Sequence, residues 1–312
     1  MNTRFLLFSL LFLTSSILLA QAEEEIEIKT ETGMLKGTLL VPEGQGEFPV
    51  VLIIAGSGPT DRNGNNAMMT NNSLKMLAEG FLENGIASLR FDKRGVGASA
   101  GAMTAEEDLR FETYIEDAQA WSTQLKADPR FDELIIMGHS EGSLLGMIAA
   151  NSAKADKFIS VAGVGRPAAD ILREQLSPQP PAVTAMTDPI ITTLEQGQTV
   201  DSINPMLNSL FRPSVQPYLI SWFKYNPTEE IAKLNCPVLV LQGTTDIQVK
   251  VKDAEMLVNA NPEAEKVILE GMNHVLKEAP IDRMENIESY NNPSLPLMDG
   301  LIPAIVSFIN MK

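Results

Sequence analysis

The chain has 312 residues, 44% of them hydrophobic, with 24 Lys and Arg against 40 Asp and Glu and a formal net charge of −16. That length suits one α/β domain with an insertion, although length alone also permits two, and the acidic balance argues against nucleic acid or an anionic membrane surface as a partner. Cys236 is the only cysteine, which excludes an internal disulfide, and no Cys/His cluster of metal-site type is present, so no metal centre is expected.

The first 22 residues stand apart. Arg4 precedes an almost unbroken run of Leu, Phe and Ile over residues 5–19, and Ala20-Gln21-Ala22 matches an A-x-A cleavage site. This reads as a secretory signal peptide over residues 1–22, giving an exported protein, periplasmic or secreted, without a stable membrane anchor. The apolar run is short for a span of about 20 residues, and Glu23-Glu24-Glu25 follows it rather than a basic stop-transfer cluster.

Residues 25–30 alternate polar and apolar, and 34–41 resume after Thr32-Gly33, which predicts an antiparallel hairpin at a sheet edge. Residues 50–55 form a continuous apolar run typical of a strand buried on both faces, ending in Gly56-Ser57-Gly58-Pro59-Thr60-Asp61-Arg62. A helix is predicted over 73–83, closed by Asn84-Gly85, then a strand over 86–91 running into Asp92-Lys93-Arg94-Gly95. Helical spacing recurs over 111–127 until Asp128-Pro129 stops it. Further strands are predicted at 134–137, 158–162, 237–243 and 266–270, with a final helix over 296–311. Strand and helix alternating with short turns argue for a parallel, doubly wound sheet with helices on both faces.

One segment breaks the alternation. Residues 165–235 lack a clear buried strand and are punctuated by nine prolines between helical fragments that carry Met186, Met206, Leu207, Leu210, Phe211, Trp222 and Phe223. The expected organisation is therefore a core of residues 23–164 and 236–312 with a helical cap inserted at 165–235. Its apolar side chains are expected mostly to pack against the core.

The chemistry centres on Gly138-His139-Ser140-Glu141-Gly142, set between a short apolar strand and a helical pattern. A G-x-S-x-G sequence at a sharp strand-to-helix turn is the nucleophile-elbow pattern: it exposes the Ser140 hydroxyl and aims the first helix amides at whatever that hydroxyl attacks. A serine needs a base, itself oriented by an acid. The chain has two histidines. His139 sits inside the elbow, where neighbouring side chains diverge, so it is expected to pack beside the nucleophile. His274 follows a strand at the carboxyl edge of the sheet, where the elbow also opens, and is the expected base. Asp246, just past a buried strand, is the expected acid; Asp253 and Glu270 are alternatives, the first expected in a helix and the second at a strand end. The order Ser140, Asp246, His274 places the acid between nucleophile and base. The oxyanion donors are expected to be the backbone N–H groups of Glu141 and Ser57. Asp61 and Arg62 are expected to shape the loop after the strand, and Asp92-Lys93-Arg94-Gly95 reads as structural.

Together, Gly56-Ser57-Gly58-Pro59-Thr60-Asp61-Arg62-x-Gly64-Asn65, Phe91-Asp92-Lys93-Arg94-Gly95-x-Gly97-x-Ser99, the elbow, Gln242-Gly243-x-x-Asp246-x-Gln248-Val249 and Asn273-His274 resemble the α/β-hydrolase superfamily, in its branch of exported esterases and serine-aminopeptidase-like or lysophospholipase-like hydrolases. The resemblance implies a mostly parallel eight-stranded sheet, a helical cap and no cofactor. One departure is Ala55-Gly56 where many relatives carry His-Gly; because the donor there is backbone, activity is expected to survive. The expected function is hydrolysis of a small-molecule acyl ester through an acyl-enzyme. The alternatives are an aminopeptidase, acyl-peptide or thioester hydrolase with the same triad, an acidic cap residue such as Asp170, Glu174 or Asp188 holding a substrate amine, and a non-catalytic binding module of the same fold. A monomer is the default and a homodimer through the cap is the variant.

Overall fold

The structure, a computed structural model, describes residues 23–311; the signal peptide expected over residues 1–22 lies outside the described residues. Eight strands form one sheet: β1 (Glu24–Lys29), β2 (Met34–Leu40), β3 (Phe48–Ile54), β4 (Ala87–Phe91), β5 (Phe131–His139), β6 (Lys157–Val161), β7 (Val238–Gly243) and β8 (Glu265–Leu269). Their order across the sheet is 1-2-4-3-5-6-7-8. The expected hairpin makes β1–β2 antiparallel, β2 pairs antiparallel with β4, and every later pairing is parallel. The helices are α1 (Ser73–Glu83), α2 (Phe111–Ala127), α3 (Glu141–Ala153), α4 (Ala168–Leu176), α5 (Pro181–Glu195), α6 (Asn208–Phe211), α7 (Gln216–Trp222), α8 (Pro227–Ile231), α9 (Val251–Ala260), α10 (Arg283–Glu288) and α11 (Leu301–Ile309).

The apolar runs read as strands buried on both faces because alternate side chains feed two separate cores. Val50, Leu52 and Ile54 of β3 face the core under α2, α3 and α9, where Phe111, Trp121, Leu144 and Leu257 are buried. Val51 and Ile53 face the opposite core, closed by Leu77 and Phe81 of α1 and by Ile305 and Phe308 of α11. The same alternation holds Leu134 and Ile136 of β5 apart from Ile135 and Met137. Each such side chain contributes about 1.5–3 kcal/mol by leaving water, so this central pair of strands anchors both cores.

Between β6 and β7 the chain makes α4–α8. Five of the nine prolines there start helical turns: Pro181, Pro205, Pro213, Pro217 and Pro227 each stand in a first turn, where a missing N–H costs nothing, whereas Pro189 lies inside α5. Phe111 of α2 anchors this segment, stacking on Trp222 at 5.9 Å and meeting Tyr225 at 5.2 Å, while its N–H donates to Ser221 Oγ at 2.7 Å. Leu207 and Phe211 are buried packing residues, as expected of most of the cap's apolar side chains. Leu210 and Trp222 instead line a cavity, and Met206 is exposed.

The last helix is shorter than the spacing predicts. It begins at Leu301 rather than 296, because Gly300 takes a left-handed φ of 87° and ends the approaching turn there.

The consequence for function lies at one edge of the sheet. The carboxyl ends of β3, β4, β5, β7 and β8 release, in that order, the loops bearing Gly56, Asp92, Ser140, Asp246 and His274. Parallel strands bring residues distant in sequence to one rim, which is where open α/β sheets bind ligands.

Candidate active site

Ser140 stands between β5 and α3 with φ 56° and ψ −122°, a conformation that costs a non-glycine residue about 1–3 kcal/mol. Its N–H donates to Val161 O at 3.0 Å and its carbonyl accepts from Ser143 N at 3.0 Å, so the strain is held by the backbone on both sides. The flanking glycines are a steric requirement. A Cβ at Gly138 would lie 2.1 Å from Gly142 O, and one at Gly142 would lie 2.4 Å from Ile54 O. The loop after β3 also lies close, though less tightly, since a Cβ at Gly56 would come 3.1 Å from Ser140 Cβ.

His274 Nδ1 lies 2.8 Å from Asp246 Oδ2, with both residues buried. The acid is itself fully tied. Its Oδ1 accepts from Gln248 N at 2.7 Å and Val249 N at 2.9 Å, and its Oδ2 accepts from Gln242 Nε2 at 3.1 Å. Burial alone would raise the Asp246 carboxyl, but His274 and the two amides hold it below the ordinary carboxylate value. The loop before the histidine is pinned by Asn273, whose Oδ1 accepts from Lys277 N at 3.0 Å and whose Nδ2 donates to Ser289 Oγ at 2.6 Å. The alternative acids are elsewhere: Asp253, on α9 as expected, binds Arg166 Nε at 2.8 Å, and Glu270 follows the end of β8.

His139 packs beside the elbow. Its Nε2 lies 2.8 Å from the His274 carbonyl oxygen, to which a neutral ring donates. Burial, reinforced by His274, pushes it down from 6.5 to about 3. Because the folded value lies below the unfolded one, the unfolded chain binds a proton first as pH falls. The contribution to stability is therefore intact above about pH 6.5 and is lost progressively towards pH 3. At about 1.4 kcal/mol per unit, moving from pH 7 to 4.5 should cost roughly 2–3 kcal/mol through this residue alone. Urea unfolding of wild type and His139→Gln at both pH values checks this. The variant, which cannot take up that proton, should lose less stability in acid, and an identical pH dependence would remove His139 as the cause.

The β3 loop carrying Ser57 is braced from β4. Arg62 N donates to Asp92 Oδ1 at 2.8 Å and Arg62 Nη2 to Asp92 Oδ2 at 2.9 Å, while Asp61 Oδ1 accepts from Asn63 N and Asn65 N at 2.8 and 2.9 Å. Asp61 and Arg62 thus shape the loop, and Asp92 joins them. Neither the Ser57 N–H nor the Glu141 N–H donates to another group among the described residues, so both remain available to a ligand. Ser57, Ser140 and His274 line one small cavity of about 120 Å³. Ser57, Ser140 and Glu141 also border a second, of about 490 Å³, walled by Val164, Ile171, Leu172, Leu210, Leu219 and Trp222 from the segment after β6. The structure therefore lines the smaller cavity with Ser140, His274 and Ser57, with Asp246 behind His274, and the larger one with Ser140, Ser57 and Glu141; no hydrogen bond joins Ser140 Oγ to His274 among the described residues.

Ala55, the departure from the family pattern, is buried in the core under α1 and is not among the residues lining either cavity. The cap acids weighed as amine-binding groups are committed to cations: Glu174 pairs with Arg166 and Lys252, Asp188 with Arg173 at 2.8 Å, and Asp170 with Arg173 at 3.7 Å. Three site residues went unweighed. Gln242 holds the acid, Gln248 borders both cavities, and Lys93, read as structural, reaches the carbonyl of Gly56. Gln242 and Gln248 sit four and two residues from Asp246, a proximity that marks the first two. Nothing local marks Lys93.

The Hydrolase_4 family model, described as serine aminopeptidase, S33, matches residues 69–208. Esterase EstD of Thermotoga maritima is 26% identical over 271 residues, covering 80% of this chain; the chain spans 61% of that relative's length. Among solved structures, Est1E of Butyrivibrio proteoclasticus with ferulic acid bound superposes with a TM-score of 0.61 at 16% identity, covering 90% of this chain and 95% of the other. The Pyrococcus furiosus esterase Pf2001 does so with a TM-score of 0.55 at 18% identity, covering 92% and 91%.

Proposed function

From a chain that belongs to the α/β-hydrolase superfamily, we infer an enzyme that hydrolyses carboxylic esters by acyl transfer through Ser140. Asp246 accepts the Nδ1–H of His274, which leaves Nε2 free as a base. Ser140 Oγ attacks the acyl carbon and gives its proton to Nε2. The N–H groups of Ser57 and Glu141 receive the charge that forms on the substrate oxygen. Collapse of the tetrahedral intermediate expels the alcohol oxygen, which takes the proton back from His274 and leaves an acyl-enzyme. Water then enters by the same route, His274 removing its proton, and the carboxylic acid departs as Ser140 regains its own.

The observation that carries the ester reading is the apolar cavity of about 490 Å³ opening onto Ser140, a volume within the usual range for small-molecule sites. The one carboxyl side chain on its wall, Glu141, is buried against Lys93 at 3.6 Å and so is not offered to a substrate amine. That wall favours an acyl chain over a free α-amino group, and hence an esterase over an aminopeptidase.

The test is turnover of aryl esters from acetyl to long-chain acyl beside a matched aminoacyl-anilide series. Esters should be cleaved faster, with an optimum at the chain length that fills the cavity. Anilide cleavage exceeding ester cleavage would replace this reading with the peptidase one. Silence in both, with Ser140 unreactive to a fluorophosphonate, would leave a binding module.

A further inference from the structure

Lys93 leaves the end of β4 for a buried position beside both amides assigned above to the oxyanion. Its Nζ donates to Gly56 O at 2.5 Å, stands 3.6 Å from Glu141 Oε1 and lies 5.1 Å over the Tyr114 ring. The Lys93 and Glu141 side chains are each only 2% exposed. The Tyr218 hydroxyl faces the same carboxyl without reaching good hydrogen-bond geometry, and both Glu141 oxygens lack a hydrogen-bond partner among the described residues.

The Gly56 carbonyl and the Ser57 N–H belong to one peptide unit. No cis peptide is present among the described residues, and in a planar trans peptide the carbonyl and the N–H point in opposite directions. A donor clamped on the carbonyl therefore decides where the N–H aims, and it polarises that N–H as well. Gly56 lies close against the elbow and Thr60 Oγ1 donates to Ser57 O at 3.0 Å, but Lys93 Nζ is the only hydrogen-bond donor to the Gly56 carbonyl among the described residues. The other oxyanion amide is that of Glu141, whose own side chain faces Lys93.

We propose that Lys93 is a positioning residue for the oxyanion hole: it orients the Gly56–Ser57 peptide through its carbonyl, and Glu141 anchors it, so that one buried contact ties the two amide donors together. This rests on the ester-hydrolase reading and on Ser57 and Glu141 as the donors. Burial pushes the Lys93 amine down and the Glu141 carboxyl up, and an amine nitrogen donates an N–H to the carbonyl in either protonation state. Buried ion pairs are poor stabilisers compared with apolar residues of similar volume, so an orienting role gives this pair a reason to be buried here.

Lys93→Met in the full chain tests it, with turnover expressed per Ser140 labelled by a fluorophosphonate so that misfolded protein drops out. KM is measured beside the Ki of an aryl trifluoromethyl ketone, whose tetrahedral adduct places an oxyanion in the hole. kcat should fall on the order of 10²-fold, as when an oxyanion donor is lost, with KM within about threefold. Ki should rise by the same factor as kcat/KM falls. A purely structural lysine would lower the labelled fraction and leave kcat per labelled site and Ki unchanged, which would overturn the proposal. Should Lys93→Met not fold, Glu141→Gln keeps the backbone donor and removes the anchor. It should lower kcat per labelled site about tenfold with Ki rising in step, a mild version of the same loss, and an unchanged kcat would equally overturn the proposal. A wild-type protein that neither cleaves esters nor labels at Ser140 would remove the hydrolase reading and this inference together; an active wild type with an unimpaired Lys93→Met removes only the inference.

Discussion

Ser140→Ala should lower kcat for the best ester by about 10⁵–10⁶-fold and leave the fold intact. The loss corresponds to roughly 7–8 kcal/mol of transition-state stabilisation and is expected to be the largest of any single substitution, because the acyl-enzyme route closes altogether. What remains is attack by water within an intact oxyanion hole, still about 10³–10⁴-fold above solution. The stability expectation follows from how the residue is held. Its unusual backbone is fixed by bonds to Val161 and Ser143 and by close contact between Gly138 and Gly142, none of which uses the hydroxyl. Alanine therefore occupies the same strained turn, and the thermal midpoint should stay near that of wild type. The check is steady-state turnover with thermal unfolding on the same preparation. Residual kcat above a tenth of wild type would remove Ser140 as nucleophile, and a collapsed midpoint would show that the hydroxyl supports the fold.

Asp246→Asn should cost about 10⁴-fold in kcat with little change in KM. The carboxylate has four partners: two backbone amides on Oδ1, and Gln242 and the His274 ring on Oδ2. Asparagine can retain the amide bonds through its carbonyl oxygen, but it then turns an NH₂ group towards His274. The ring answers by presenting Nδ1 as acceptor, which moves the proton to Nε2 and removes the base from the face where Ser140 works. Fluorophosphonate labelling should slow in step, since it needs the same proton transfer. Asp253→Asn is the discriminating control. Asp253 is buried against Arg166, so its loss should be felt in stability and little in turnover. If Asp253→Asn lost more turnover than Asp246→Asn, the acid would have been assigned to the wrong residue.

Much of the fold was legible because its periodicities are strong. The run Val50–Ile54 could be read as a strand buried on both sides, and Leu134–Met137 as a short apolar strand, without knowing what covers them; in both, alternate residues serve two cores. The final helix was misjudged at its start, because an apolar stretch says little about where the chain turns and the left-handed conformation at Gly300 decides it. The prolines of residues 165–235 were visible, yet only the structure shows five of them opening helical turns, which makes that segment ordered helices rather than a broken linker. Its apolar side chains divide between packing and cavity wall according to which face of each short helix is turned to its neighbours, α2 for α7 and α3 for α8. No periodicity over four to seven residues fixes that face.

At the site, the division follows from what local sequence encodes. The elbow is a local device: glycines at 138 and 142 are demanded by backbone contacts within one turn and with the neighbouring strand, so the nucleophile announces itself. With two histidines in the chain and one of them inside that elbow, the base follows by elimination, and Asp246 follows from chain order. The amino-acid sequence by itself thus determined the elbow, the expected nucleophile, base and acid, and the sheet that carries them. Only the tertiary structure decided that the Asp246 carboxyl meets the His274 ring, that Glu174 and Asp188 are spent on cations, and that Lys93 grips the peptide of Ser57. Such contacts join residues 37 or more positions apart for Lys93 and 28 for the acid and base. Parallel strands deliver them to a common rim, and which side chains then touch depends on loop paths and burial that no local pattern records.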